Sequence, residues 1–255
     1  LGLLCLGKND FDAIEGQRTD NFFARALGLR AVPSSPTLRQ RLDTHAPSWF
    51  DLVDRINAAV LSMKIEGKPI DFGVLPCGYC PLDVDTFAMD NSGTAKELVG
   101  RTYAGVDGYC PLAAYLGTQG FCLELALRPG TQHSASETEY NIERVLPLAA
   151  RVCRTPLLFR ADSGFDSAKL MCAIGQQAKA LDREVAFIIK WNPRTTPVES
   201  IAAARVADAS TTWEELRPGK RQCLWSQAIE IVHAGQTLNA RRVYRLIERT
   251  IDKRG

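Results

Sequence analysis

Between residues 81 and 130, three short apolar runs follow one another with no helical period between them. They are "PLDVDTFAM" (81–89), "GYCPLAAYLG" (108–117) and "GFCLELALRPG" (120–130). Apolar runs of this length, bounded by Gly and Pro, read as adjacent strands of an antiparallel meander. The next segment, "SASETEYNIERVLPLAARVC" (134–153), is an amphipathic helix that opens with Ser/Glu capping chemistry. "TPLLFRADSGF" then reads as a strand ending on Asp162, and "DSAKLMCAIGQQAKALD" (166–182) as a helix capped by Asp166 or Ser167. "EVAFIIKWNP" (184–193) reads as a final buried strand. The order β-β-β-α-β-α-β implies a mixed α/β sheet with flanking helices.

The flanks have a different texture. Residues 10–65 read as helical, with apolar spacing in "DNFFARALGL" (20–29) and "SWFDLVDRINAAVLSMK" (48–64). Between them, Ser35 is expected as N-cap and Pro36 as N1 of a short basic helix. "IDFGVLP" reads as β-like. The tail "TTWEELRPGKRQCLWSQAIEIVHAGQTLNARRVYRLIERT" (211–250) alternates aromatic, apolar and basic residues between Gly turns, as antiparallel strands do. We therefore expect a helical N-terminal region over 1–68 with DNA contact as one role, a mixed α/β core over 69–192, and a β-rich insertion over 193–255.

With 45% hydrophobic and 24% charged residues in 255, the composition is that of a folded protein. The net charge of +2 selects no partner, but its distribution is uneven. Residues 85–150 carry four Lys/Arg against eight Asp/Glu, while 214–255 carry nine against five. An acidic centre beside a basic flank suits a site that holds cations next to a surface that holds phosphates. No apolar run is long enough to span a membrane, and the opening "LGLLCLGKNDFD" lacks the basic lead of a signal peptide. Because the sequence starts without Met and in mid-pattern, we expect its true N-terminus upstream. Of eight cysteines, only Cys77 and Cys80 form C-x-x-C, with no second pair at zinc spacing; reduced thiols in the cytoplasm are the expectation.

Two carboxylates stand out. Asp85 lies on the first strand and Asp162 ends the fourth, 77 residues later. Strand four of a β-β-β-α-β sheet lies beside strand one, so the two can face each other. That arrangement suits hard divalent cations, which take carboxylate oxygens and, roughly 3.5–4 Å apart, serve phosphodiester displacement.

"LDVDTFAMDNSGTAKE", "YAGVDGYCPLAAYLG", "LRPGTQHSASE" and "FRADSGFDS", with the upstream "GQRTDNFFARALGLRAVPSSPTLRQRL", resemble the DDE transposases of the IS4/IS1380 group over nearly the whole chain. The resemblance implies a ribonuclease H-like core. It makes Asp85, which precedes Thr86, the first catalytic and metal-holding carboxylate and Asp162 the second. Asp83 is expected to point away from the site. Mg²⁺ or Mn²⁺ is the implied cofactor, and cleavage and strand transfer at insertion-sequence ends the implied activity. The implied partners are double-stranded DNA with terminal inverted repeats, target DNA and a second copy of the chain. The location would be the bacterial cytoplasm, at the nucleoid.

The group also uses a third carboxylate, a Glu. Here "VYRLIERTIDKRG" offers only Glu248, on an expected strand beside Tyr244 and Arg245, so we expect the chain to be truncated before the true residue. Arg241, Arg242, Arg245 and Arg249 could track a DNA backbone or protect a sheet edge. His133 is expected in a loop close to the site, and Trp191 and Trp213 are read as core residues or base-stacking platforms. Two alternatives remain: a DNA-binding remnant that does not cut, and a haloacid dehalogenase-like phosphatase with Asp83 of "DVDTF" as nucleophile.

Overall fold

Asp20 follows the 3-10 helix Phe11–Gln17 and a turn, and its Oδ1 accepts from the N–H groups of Phe22 (2.8 Å) and Phe23 (3.0 Å), which starts the short helix Asn21–Ala26. The computed structural model describes residues 2–8 and 10–250. It divides into the compact units Leu1–Val60 and Leu61–Gly255. In the first, Ile14, Phe23 and Val32 form a small apolar cluster. The long helix α1 (Ser35–Leu61) runs through Pro47, so the two helices expected on either side of that residue are one. Pro47 removes a single ladder N–H, and the helical period continues across it. Ser34, rather than Ser35, accepts from Thr37 N (3.4 Å), because Ser35 is turned toward Glu15, whose Oε1 accepts its N–H at 2.6 Å.

The second unit is built on five strands: β1 (Cys80–Thr86), β2 (Leu112–Leu116), β3 (Phe121–Ala126), β4 (Leu157–Ala161) and β5 (Val185–Ile189). Their spatial order is β5-β4-β1-β2-β3, antiparallel among β1, β2 and β3 and parallel from β1 through β4 to β5. This is the ribonuclease H-like sheet. β1 and β2 are joined by an excursion over residues 87–111 that holds only short strands and turns, and β2 and β3 by a tight turn, so these three pair antiparallel, whereas β4 and β5 each return through a helix. Those helices are α2 (Thr138–Val152) and α3 (Ala168–Ala180).

Strand alternation makes the core. Leu82 and Val84 of β1, Leu112, Ala114 and Leu116 of β2, and Leu157 and Phe159 of β4 point to one face, against Ile142, Val145, Leu146 and Ala149 of α2 and Leu170 and Ile174 of α3. Each such Leu, Ile or Phe contributes about 1.5–3 kcal/mol by leaving water. β5 is a half-buried edge strand, not the buried one expected. "IDFGVLP" forms no strand, yet Phe72 from it is buried against Phe121, edge-on at 5.3 Å. Its carbonyl oxygen lies 1.9 Å from where a Cβ would stand on Gly117 (φ +80°), so only glycine fits there.

Three further strands, β6 (Glu214–Arg217), β7 (Lys220–His233) and β8 (Gln236–Arg249), form a separate antiparallel sheet, preceded by helix α4 (Val198–Ala207). β7 and β8 are joined by Ala234–Gly235, both at positive φ, as a two-residue hairpin turn requires. The hairpin is seated on the core: Ile229, Ile231, Leu238 and Ala240 pack with Met171 and Cys172 of α3 and Phe187 and Ile189 of β5.

Candidate active site

On β1, residues 82, 84 and 86 are buried and 83 and 85 are not, so both aspartates lie on the face opposite the core. Asp83 therefore does not point away from the site side. Residues two apart on a strand share a face, and the earlier expectation miscounted that period. What separates the two is bonding. Asp83 is the register partner of Arg160 on β4, and the guanidinium grips its carboxylate with Nε–Oδ1 at 2.6 Å and Nη2–Oδ2 at 2.7 Å.

Continued by two residues, the same parallel register brings Asp85 opposite Asp162. The ladder stops there because Asp162 opens the turn Ser163–Phe165, its Oδ1 accepting from Gly164 N at 2.8 Å. Asp85 Oδ1 accepts in the same way from Thr86 N, at 2.8 Å. Each carboxylate thus spends one oxygen on the backbone, and its other oxygen has no hydrogen-bond partner among the described residues. Burial of its carboxyl raises the pKa of Asp85 above the ordinary 3.8, the Thr86 N–H opposes this, and repulsion from Asp162 adds to it. A pair of hard oxygen donors that resist carrying charge together fits a divalent cation. No group of three or more His, Cys, Asp or Glu side chains able to hold a metal ion occurs among the described residues. Glu248 in particular is paired with Arg221 across the β7–β8 ladder.

A loop ties the two strand ends together. The Ser134 and Thr86 hydroxyls are hydrogen-bonded at 2.7 Å, and Tyr103 donates its hydroxyl to Thr86 O at 3.2 Å. A Cβ on Gly164 would sit 3.0 Å from Asp162 Oδ1 and 3.1 Å from Ser134 Oγ, which places Ser134 against the turn that holds Asp162. Beneath the loop lies Arg128, 5% exposed, donating to the carbonyls of His133 (2.6 Å), Ser136 (3.0 Å) and Ser134 (3.3 Å). Burial lowers the pKa of this guanidinium. Residues 134–137 consequently lie outside the helix expected to begin at 134; α2 starts at Thr138 behind a left-handed Glu137 that makes no side-chain cap. Helix α3 is capped by Ser167, because Asp166 instead accepts from Asn192 N (2.9 Å) and Arg194 Nη1 (3.1 Å). His133 is exposed on the loop, its Nδ1 accepting from Ala135 N at 3.2 Å.

The expected basic residues divide between two faces of β8. Arg242 lies on the side that packs on α3, its guanidinium 4.2 Å from the Trp191 ring centroid. Arg241, Arg245 and Arg249 lie on the other side and are exposed, Arg245 donating to Gln222 Oε1 at 2.9 Å. Trp191 meets Tyr244 edge-on at 5.9 Å, and Tyr244 stacks on Trp225 at 4.8 Å; with Ile201, Ala202 and Leu246 they line a cleft of ≈ 340 Å³. Trp213 lies apart, under Arg221. The Ser134–Thr86 bond and the Arg128 clamp were missed as functional features of the sequence, although "LRPGTQHSASE" contains two of their three residues.

The fold thus brings two carboxylates, Asp85 and Asp162, to neighbouring strand ends of a ribonuclease H-like sheet. The chain matches the family described as transposase DDE domain, group 1, over residues 2–236, and it belongs to that family. No curated protein matches it. Among solved structures it is similar to the piggyBac transposase synaptic complex with hairpin DNA, determined by cryo-EM, at 13% identity and a TM-score of 0.35. That alignment covers 95% of this chain and 51% of the other, so the chain spans about half the length of that protein.

Proposed function

We propose that this chain carries the catalytic core of an insertion-sequence transposase of the IS4/IS1380 group, which cleaves phosphodiesters at the element's ends with water and then joins the freed 3′-hydroxyl to target DNA. The observation that carries the reading is that the parallel register of β1 and β4, continued by two residues, brings Asp85 opposite Asp162, close enough for the two charges to repel. These two residues would hold Mg²⁺ or Mn²⁺, which when bound supplies Lewis acidity toward the phosphodiester oxygens. The chain's own contribution is positional. It aims two carboxylates at one point, keeps an oxygen of each free of protein bonds, and holds Asp85 where it gains from a neighbouring cation.

The partner is double-stranded DNA bearing terminal inverted repeats, and then target DNA, engaged by a homodimer in the bacterial cytoplasm. Residues 193–255 would be the β-rich insertion, presenting Arg241, Arg245 and Arg249 to phosphates, with residues 1–68 as a further DNA-contacting region. Among the described residues no helix is long and apolar enough to cross a membrane.

The deciding experiment is nicking of inverted-repeat DNA in Mg²⁺ or Mn²⁺. Cleavage that disappears in Asp85→Ala and in Asp162→Ala supports the proposal. Specific DNA binding without cleavage would point to the remnant. Phosphomonoester hydrolysis that depends on Asp83 would overturn the proposal. Against that last outcome stands Arg160, which occupies both oxygens of Asp83 and leaves neither poised for attack.

A further inference from the structure

We infer that Ser134 and Thr86 are positioning residues that set the approach of Asp85 to Asp162, so that metal affinity depends on a hydrogen bond made by neither carboxylate. The inference rests on the reading of those aspartates as the metal ligands.

Thr86 has two tasks in one residue. Its N–H fixes Asp85 Oδ1 at 2.8 Å, and its buried hydroxyl is anchored to Ser134 Oγ at 2.7 Å. Rotation of the Asp85 carboxyl away from the site therefore requires the strand end to move, and that end is pinned from the side. Ser134 is pressed equally close to the other half of the site. Its Cβ and Oγ are each 3.1 Å from the position of a Gly164 Cβ, and Gly164 supplies the N–H that orients Asp162. One serine is thus in contact with both of the residues whose N–H groups aim the two carboxylates. Its own position is not left to a mobile loop. Arg128 spans the carbonyls of residues 133, 134 and 136, and Thr138 donates its hydroxyl to Ser134 O. Among the described residues Arg128 makes no ion pair, and its Nε has no partner. An apolar side chain would bury there at lower cost. The charge is used to hold three carbonyls of one loop, which is support for a site and not for a core.

The test is Mn²⁺ binding to the full chain, followed by electron paramagnetic resonance, alongside the thermal midpoint without metal. Ser134→Ala and Thr86→Val are each expected to weaken Mn²⁺ binding about tenfold, within the range for residues that orient ligands. The double variant should be no weaker than either single one, since both remove the same bond. Thr86→Ser, which keeps the hydroxyl, should bind within about twofold of the wild type. A residue that only supports the fold would lower the midpoint and leave the affinity of the folded protein alone. Unchanged affinity in Ser134→Ala and Thr86→Val, with binding still lost in Asp85→Asn and Asp162→Asn, would overturn this inference and leave the two-carboxylate site standing. Unchanged affinity in the two Asn variants would overturn both.

Discussion

Asp85 holds its carboxyl against protein atoms and near a second carboxylate, and both effects favour the protonated form. A carboxyl whose folded pKa exceeds its unfolded value contributes stability below the unfolded value, near 3.8, and loses it as the pH rises through the folded one. At neutral pH the ionised Asp85 is therefore a liability to the metal-free protein. Asp85→Asn should raise the thermal midpoint at pH 7 in chelator, and the gain should vanish below pH 3.8. A melting series across that range checks the sign. Saturating Mn²⁺ should reverse it, because only the wild type can then bind the ion. Two positions earlier, Asp83 behaves otherwise. Its pair with Arg160 is 42% and 40% exposed, so Asp83→Asn should cost no more than about 1 kcal/mol in urea denaturation. The same variant should retain nicking, in contrast to Asp85→Asn. The sequence marks Asp85 and Asp162 as candidates, one within an apolar strand and one directly after another. It could not distinguish Asp83 by facing, because period two puts residues 83 and 85 together; the Arg160 fork that sets them apart is made by residues 77 positions away.

Among the elements, the five core strands were legible because each is a short apolar run closed by Gly, Pro or a charged turn. Their order followed from where a helix could fit between them. What stayed hidden was long-range. The capping signature at "SASE" is locally a good helix start, but the Ser134 hydroxyl is hydrogen-bonded to that of Thr86, 48 residues back, and α2 begins four residues later. Pro47 reads as a boundary and is not one, since a single missing N–H does not end a helix whose period continues. The β7–β8 hairpin carries a correctable defect. Ala234 sits at φ 48° in its turn, a conformation that costs a residue with a Cβ roughly 1–2 kcal/mol. Ala234→Asn, the residue suited to that position, should stabilise the protein by about 0.5–1 kcal/mol in urea titration, with the folded-state spectrum unchanged.

For the molecule as a whole, its electrostatics would set the terms of the proposed DNA binding. Arg241, Arg245 and Arg249 share the exposed face of β8, whereas Arg242 is laid over Trp191 on the other. Arg241→Ala should lower the magnitude of the slope of log affinity against log salt by about 1, and Arg242→Ala should change it far less. Fluorescence anisotropy with a non-specific duplex at several salt concentrations measures both. The sequence displayed all four arginines as one cluster, and only the pairing of β8 with β7 sorts them. The ladder between β1 and β4 has a further consequence, one of inheritance. Because Asp85 and Asp162 meet through strand register, the chain between them is not a ruler. The excursion over residues 87–111 and the turn at 117–120 could lengthen or shrink by many residues while the two carboxylates stayed opposite each other. A single residue lost inside β4 would shift the register, turn Phe159 out of the core and separate the pair. Descendants of this chain can therefore drift in length over those two connections but not within the two strands, which fix where the carboxylates meet.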